Sequence, residues 1–180
     1  MNSVHHLILG ELVDFLTGET IEDTHDERYR QKLARLLVEK KDYTRSDIKS
    51  RFELSVGADA KKAIVKIDFT ITLSDKICMI IKYNPGSLVT RHRPVLAASR
   101  LVTPYQVPIV VATNGEDADI LDGYTNGVIS SGLESIPDRG QLAKRVADIQ
   151  FENISSKQAE MESRIIYAFE IDGSCCSMAS

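Results

Sequence analysis

Between Ala63 and Tyr83 the chain first alternates in polarity and then stops alternating. Ile64, Lys66, Asp68, Thr70 and Thr72 interleave with Val65, Ile67, Phe69, Ile71 and Leu73, the period of two that gives a strand one apolar face. After the polar turn Ser74-Asp75-Lys76, the run from Ile77 to Tyr83 is apolar almost throughout, as in a strand covered on both sides. The pattern predicts a hairpin at the centre of a sheet. Asp68 within the first strand and Lys82 near the end of the second interrupt it. A buried charge is costly unless paired. These two residues therefore form either a structural ion pair across neighbouring strands or the remains of a catalytic centre.

The same patterns order the rest of the chain. Apolar stretches at residues 4–9 and 11–16, with a turn signal at Thr17-Gly18-Glu19 and Glu19-Thr20-Ile21 returning, predict a hairpin-like arm. His5 and His6 in it read as solvent-facing residues. Thr24-His25-Asp26-Glu27 has the form of a capping box. With Tyr29, Leu33, Leu36 and Leu37 at helical spacing and Lys40-Lys41 at the end, it predicts a helix over 25–41. A short turn at 45–49 and a strand over 51–56 lead through Gly57-Ala58-Asp59 into the central hairpin. Asn84-Pro85-Gly86-Ser87 reads as a loop, followed by a helix from Pro94 to Val102, a buried strand over 107–112, and Thr113-Asn114-Gly115 closing it. Asp119–Asp122 reads as a short edge strand and Gly123–Gly132 as loop. Helices are expected over 140–149 and 155–169, the second burying Met161, Ile165, Ala168 and Phe169. The expected organisation is an arm over 1–23, an α/β domain over 24–172, and a disordered tail over 173–180 that carries Cys175 and Cys176.

Composition narrows the class of protein. The 180 residues, 43% of them hydrophobic and 27% charged, suit one soluble domain. No apolar run approaches the roughly 20 residues that span a bilayer, and the N-terminus lacks the features of a signal peptide. Three cysteines without a disulfide framework fit a reducing cytoplasm. A formal net charge of −4 excludes a generic polyanion binder, so any nucleic-acid surface must be a local basic patch. The densest such cluster is Arg91-His92-Arg93, with Arg100 one to two helical turns later. It lies at a loop-to-helix junction, where backbone donors also favour anions.

The order helix, three strands, helix, strand, with an acid in the second strand and a lysine in the third, resembles the PD-(D/E)XK nuclease superfamily. More narrowly, it resembles the N-terminal domain of type I restriction enzyme R subunits. Asp26-Glu27-Arg28-Tyr29-Arg30-Gln31 is similar to that family's E-R-x-R-Q signature, and Asp68 falls where it has its first metal-binding acid. Met79-Ile80-Ile81-Lys82 falls at its hydrophobic-Glu-x-Lys strand end, and Thr113-Asn114-Gly115 at its T-N-G. The resemblance covers roughly residues 11–123 and implies a restriction-endonuclease-like sandwich, a central mixed sheet flanked by helices. It further implies a Mg²⁺ ion held by Asp68 and the backbone carbonyl of Ile81, with Lys82 acting on the attacking water. Ile80 stands where the second catalytic acid belongs. One carboxylate holds Mg²⁺ poorly, and Glu27 and Glu53 are the candidate replacements.

Three functions remain open at this level. One is an impaired nuclease-fold protein that keeps an anion- or nucleic-acid-binding surface of Lys82, Arg91, Arg93 and Arg100. Another is an active Mg²⁺-dependent DNA endonuclease using Asp68, Lys82 and a relocated acid. The last is a structural or interaction module, pairing through its arm as a homodimer or with restriction-modification subunits.

Overall fold

Thr24 begins the main body of the fold. The computed structural model describes residues 7–58 and 60–172, so the expectations for Val4, His5, His6, Asp59 and the tail with Cys175 and Cys176 lie outside the described residues. Ahead of Thr24, strands β1 (Gly10–Val13) and β2 (Thr20–Asp23) pair antiparallel. Helix α1 (His25–Arg35) follows and widens into a π-helical turn over Leu36–Lys40. The Thr24 hydroxyl accepts from the backbone N–H of Glu27 at 3.1 Å, which satisfies one donor of the first turn. The expected return bond from the Glu27 carboxylate is not made. That carboxylate accepts instead from Arg51 and Gln31, charged and amide donors that outcompete a backbone N–H.

The sheet has six strands that lie side by side in chain order: β3 (Ile48–Ala58), β4 (Lys61–Leu73), β5 (Lys76–Tyr83), β6 (Ile109–Thr113), β7 (Ala118–Asp122) and β8 (Val128–Ser131). Every neighbouring pair is antiparallel except β5–β6. The β4–β5 turn holds just Ser74 (φ 48°) and Asp75 (φ 61°), a left-handed pair whose twist matches that of the strands it joins. Lys76 consequently belongs to β5. The parallel pair needs a crossover, supplied by a 3₁₀ turn at Val89–Arg91 and helix α2 (His92–Ser99).

Helices cover both faces. On one, Leu33, Ala34 and Leu37 of the first helical segment and Leu142 of α3 (Arg139–Val146) pack on Phe69, Ile71, Met79, Ile81 and Val111. On the other, Val95, Ala97 and Ala98 of α2 with Ile166 and Tyr167 of α4 (Ser156–Tyr167) pack on Val65, Ile67, Ile80 and Val110. Central strands sealed on both faces explain the unbroken apolar run of β5. This is the expected α/β sandwich, a mixed central sheet between helices in the restriction-endonuclease-like manner. Among the described residues, no helix is long and apolar enough to cross a membrane.

Two elements depart from the sequence reading. β7 is not the edge, because β8 pairs outside it. Gly127, Gly132 and the polar residues around β8 concealed a strand that is largely exposed to solvent. In α4, Met161 is 57% exposed, and Phe169, in the turn just beyond it, is 46% exposed, whereas Glu162 is 4% exposed. Glu162 pairs with Arg93 at 2.7 Å and Arg100 at 2.8 Å on the α2 side. The buried face of α4 therefore centres on an acid, and apolar periodicity misplaced it.

Candidate functional site

The site forms where two strands part. β4 and β5 pair from Leu73–Lys76 to Phe69–Ile81, and Asp68 comes next on β4, with its side chain 5% exposed. Its Oδ2 accepts the backbone N–H of Tyr83 at 2.7 Å, so a side chain satisfies the strand-end donor. Its Oδ1 accepts Arg30 Nε of α1 at 2.5 Å. Lys82 points elsewhere. Its Nζ donates to the carbonyl of Lys66 at 3.2 Å and faces Glu170 Oε2 at 3.6 Å. The ion pair expected between Asp68 and Lys82 is thus replaced by two others, one to each face of the sheet.

Arg30 opens a longer chain of charges. Its Nη1 lies 3.6 Å from Glu27 Oε2, Glu27 Oε1 accepts Arg51 Nη2 at 2.6 Å, and Arg51 Nη1 donates to Asp14 Oδ2 at 2.8 Å. Gln31 braces the chain by donating to Asp14 at 3.0 Å and to Glu27 at 2.9 Å. Arg51 takes part at a backbone cost, since its φ of 53° lies in the left-handed region, uncommon for a residue with a side chain and concentrated at constrained sites. Burial pushes the Asp14 carboxyl up, but hydrogen bonds from the backbone of Thr17, from Arg51 and from Gln31 outweigh it and hold it below its ordinary value. Burial alone would lower the guanidinium of Arg30, yet Asp68 and Glu27 raise it further.

The motifs that are distant in sequence meet around this chain. Tyr29 stacks on Tyr83 with ring centroids 5.6 Å apart, and Arg30 lies over the Tyr83 ring at 5.5 Å. Burial and a hydrogen bond to Asp26 raise the Tyr83 hydroxyl above its usual range. Behind Tyr29 runs the turn of Thr113-Asn114-Gly115. Gly115 has φ 89°, and a Cβ there would overlap the Tyr29 ring. The glycine is required both by its conformation and by the close approach.

A cleft of about 420 Å³ opens at the fork. Four bases (Arg30, Arg51, Lys66, Lys82) and four acids (Asp26, Glu27, Asp68, Glu170) line it, along with Asn84, Pro85 and Ile171. Of the residues expected at the site, Asp68, Lys82 and Glu27 meet here. Ile81 is fully buried in the core beneath α1. Glu53 is exposed on β3, opposite Lys66, and does not line the cleft. Arg91, Arg93 and Arg100 are also outside it. Arg93 and Arg100 are held by Glu162, with Gln106 and Asn126 completing the partners of Arg100. Arg91 keeps a buried Nε with no hydrogen-bond partner. Sequence reasoning missed Arg51, Asp14 and Glu170 altogether; Arg30 was visible as part of the helix-start motif.

The donor set does not fit Mg²⁺. That ion wants concentrated carboxylate charge in near-ideal octahedral geometry. Both oxygens of Asp68 are bonded within the protein, Glu27 is committed to Arg51 and Gln31, and Ile80 is fully buried between the sheet and α2. Among the described residues, no group of three or more His, Cys, Asp or Glu side chains is placed to hold a metal.

Comparison with known proteins gave one family. The model of the type I restriction enzyme R protein N terminus matches residues 25–137, from the start of α1 to just past β8. That is later at both ends than the span of 11–123 expected from motifs. No curated protein and no solved structure matched the chain.

Proposed function

The chain belongs to the family of type I restriction enzyme R protein N termini, and from that premise we propose that it is a PD-(D/E)XK-like domain that has lost hydrolysis and keeps a cleft for the nucleic-acid backbone. The observation carrying this reading is the internal neutralisation of the expected catalytic pair. Asp68 is taken by Arg30 and Tyr83, Lys82 faces Glu170, and fully buried Ile80 supplies no second acid. Four basic side chains on the cleft nonetheless suit phosphate oxygens in a protein whose overall charge is −4. The surface this favours is Arg30, Arg51, Lys66 and Lys82. Arg93 and Arg100 lie outside the cleft and contribute less.

Fluorescence anisotropy with a labelled duplex, together with plasmid nicking, tests the proposal. Binding is expected to survive chelator and to weaken steeply with salt, with a log–log slope of roughly −2 to −4 for a few phosphate contacts. No nicking is expected with Mg²⁺ or Mn²⁺. Metal-dependent nicking abolished by Asp68→Asn would overturn the reading in favour of an endonuclease with a relocated acid. Failure to bind DNA at low salt would leave an interaction module.

A further inference from the structure

We infer that Glu170 is a built-in competitor for the phosphate the cleft receives, and that the turn carrying it is an autoinhibitory strap. The inference rests on the reading of the cleft as a nucleic-acid backbone site and adds its regulation. Lys82 is 8% exposed, and its ammonium is satisfied on one side by the carbonyl of Lys66. The negative charge it faces, Glu170, comes from no neighbouring strand. It is delivered by the π-helical turn Ala168–Asp172 beyond α4, about 90 residues further along the chain.

Two features make this contact a competitor's contact. At 3.6 Å the Lys82–Glu170 pair is close enough for attraction, but longer than the 2.5–2.8 Å bonds that tie Asp68 and Asp14 to their arginines. Hold on the core also weakens along this segment. Ile166 and Tyr167 are 1% and 7% exposed, whereas Phe169 is 46% exposed and Ile171 packs on the same core only partly buried. The turn therefore sits less deeply on the core than α4 does. A carboxylate and a phosphodiester both offer a lysine anionic oxygen acceptors. A phosphate approaching Lys82 must displace Glu170 or accept its repulsion, and apparent affinity falls by the fraction of molecules with the strap in place.

Duplex binding measured by anisotropy at one salt concentration decides the matter, using wild type, Glu170→Gln, Glu160→Gln, Lys82→Met and the Lys82→Met/Glu170→Gln double variant. Glu170→Gln should tighten binding about fivefold, the scale of freeing one unit charge, that of Lys82, to face a phosphate a few ångströms away in a solvated site. Glu160, 66% exposed and paired with Arg164 on the same helix, controls for net charge, and its variant should shift affinity less than about twofold. The gain should vanish in the Lys82→Met background. Glu170→Ala, with thermal unfolding run alongside, repeats the test should the glutamine itself bind Lys82. The strap is refuted if Glu170→Gln and Glu170→Ala bind no tighter than Glu160→Gln, or if the gain persists without Lys82. When wild type binds and the Glu170 variants match it, the strap alone fails. When no protein binds duplex even at low salt, the cleft reading fails and takes the strap with it.

Discussion

Replacing Arg30 with methionine removes a charge while keeping most of the side chain's bulk, so its cost reports what Arg30 contributes through Asp68 first and through Glu27 and the Tyr83 ring besides. Breaking a buried pair from one side typically costs about 3–5 kcal/mol, because the other charge is left uncompensated. Here Asp68 is 5% exposed and Arg30 28% exposed, and Asp68 retains the backbone bond from Tyr83. Water can also reach the vacated position from the cleft. Those mitigations bring the expected loss to about 2–3 kcal/mol, or a fall in Tm of about 5–10 °C for a domain of this size. Urea unfolding at neutral pH measures the loss directly. Asp68→Asn and the double variant complete a cycle whose coupling should exceed about 1 kcal/mol. An Arg30→Met protein within about 0.5 kcal/mol of wild type, or a cycle that closes additively, would refute the reasoning, because the pair would then contribute nothing that solvent does not replace.

Two further outcomes follow from the same region. Gly115→Ala should cost about 1–3 kcal/mol, since it combines a φ of 89° with a Cβ directed into Tyr29, and near-ultraviolet circular dichroism should register the disturbed Tyr29–Tyr83 stack. Unchanged stability and spectrum would show that the turn yields freely. Asp14 is raised by burial but lowered more by its hydrogen bonds from Thr17, Arg51 and Gln31, so its contribution is present above the unfolded carboxyl pKa of about 3.9 and is lost as pH falls through the folded value. The stability gap between wild type and Asp14→Asn should accordingly be flat around neutrality and shrink below about pH 4; a gap that stays constant into acid would contradict this.

What the sequence disclosed and what it hid divide along the range of the interactions. Thr24 announced α1, and the alternation from Ile64 to Leu73 with the apolar run to Tyr83 announced the central hairpin, because capping and pleating act over a few residues. β8 escaped because Val128–Ser131 is short, exposed and bounded by glycines, leaving no buried face to write a pattern. The face of α4 was misassigned because Glu162 is buried by partners 62 and 69 positions away, Arg100 and Arg93. At the site, Asp68, Lys82 and Glu27 stood out by residue type and order. Asp14 and Arg51 did not, since their roles exist only once β1–β2, α1 and β3 converge, and no local periodicity encodes that meeting. The same holds for Glu170. The Glu27 carboxylate shows the reverse error: a local motif assigned it to helix capping, and longer-range donors claimed it instead.

The lone parallel junction in the sheet has a kinetic consequence. Its six strands lie in chain order, so residues 48–83 and 109–131 form two antiparallel meanders, each able to zip up through short turns. Only the β5–β6 contact requires the chain to travel through residues 84–108 before it closes. The entropy of joining distant segments is concentrated in that one step, whereas the other junctions close locally. The strand fork ends at Tyr83, whose neighbour across the parallel junction is Thr113, and the turn behind Tyr29 begins at that same threonine. Docking of the two meanders is therefore what sets Gly115 beside Tyr83 and under the Tyr29 ring of α1, whereas the lining of the cleft itself comes from α1, the first meander with the loop that follows it, and the turn of Glu170.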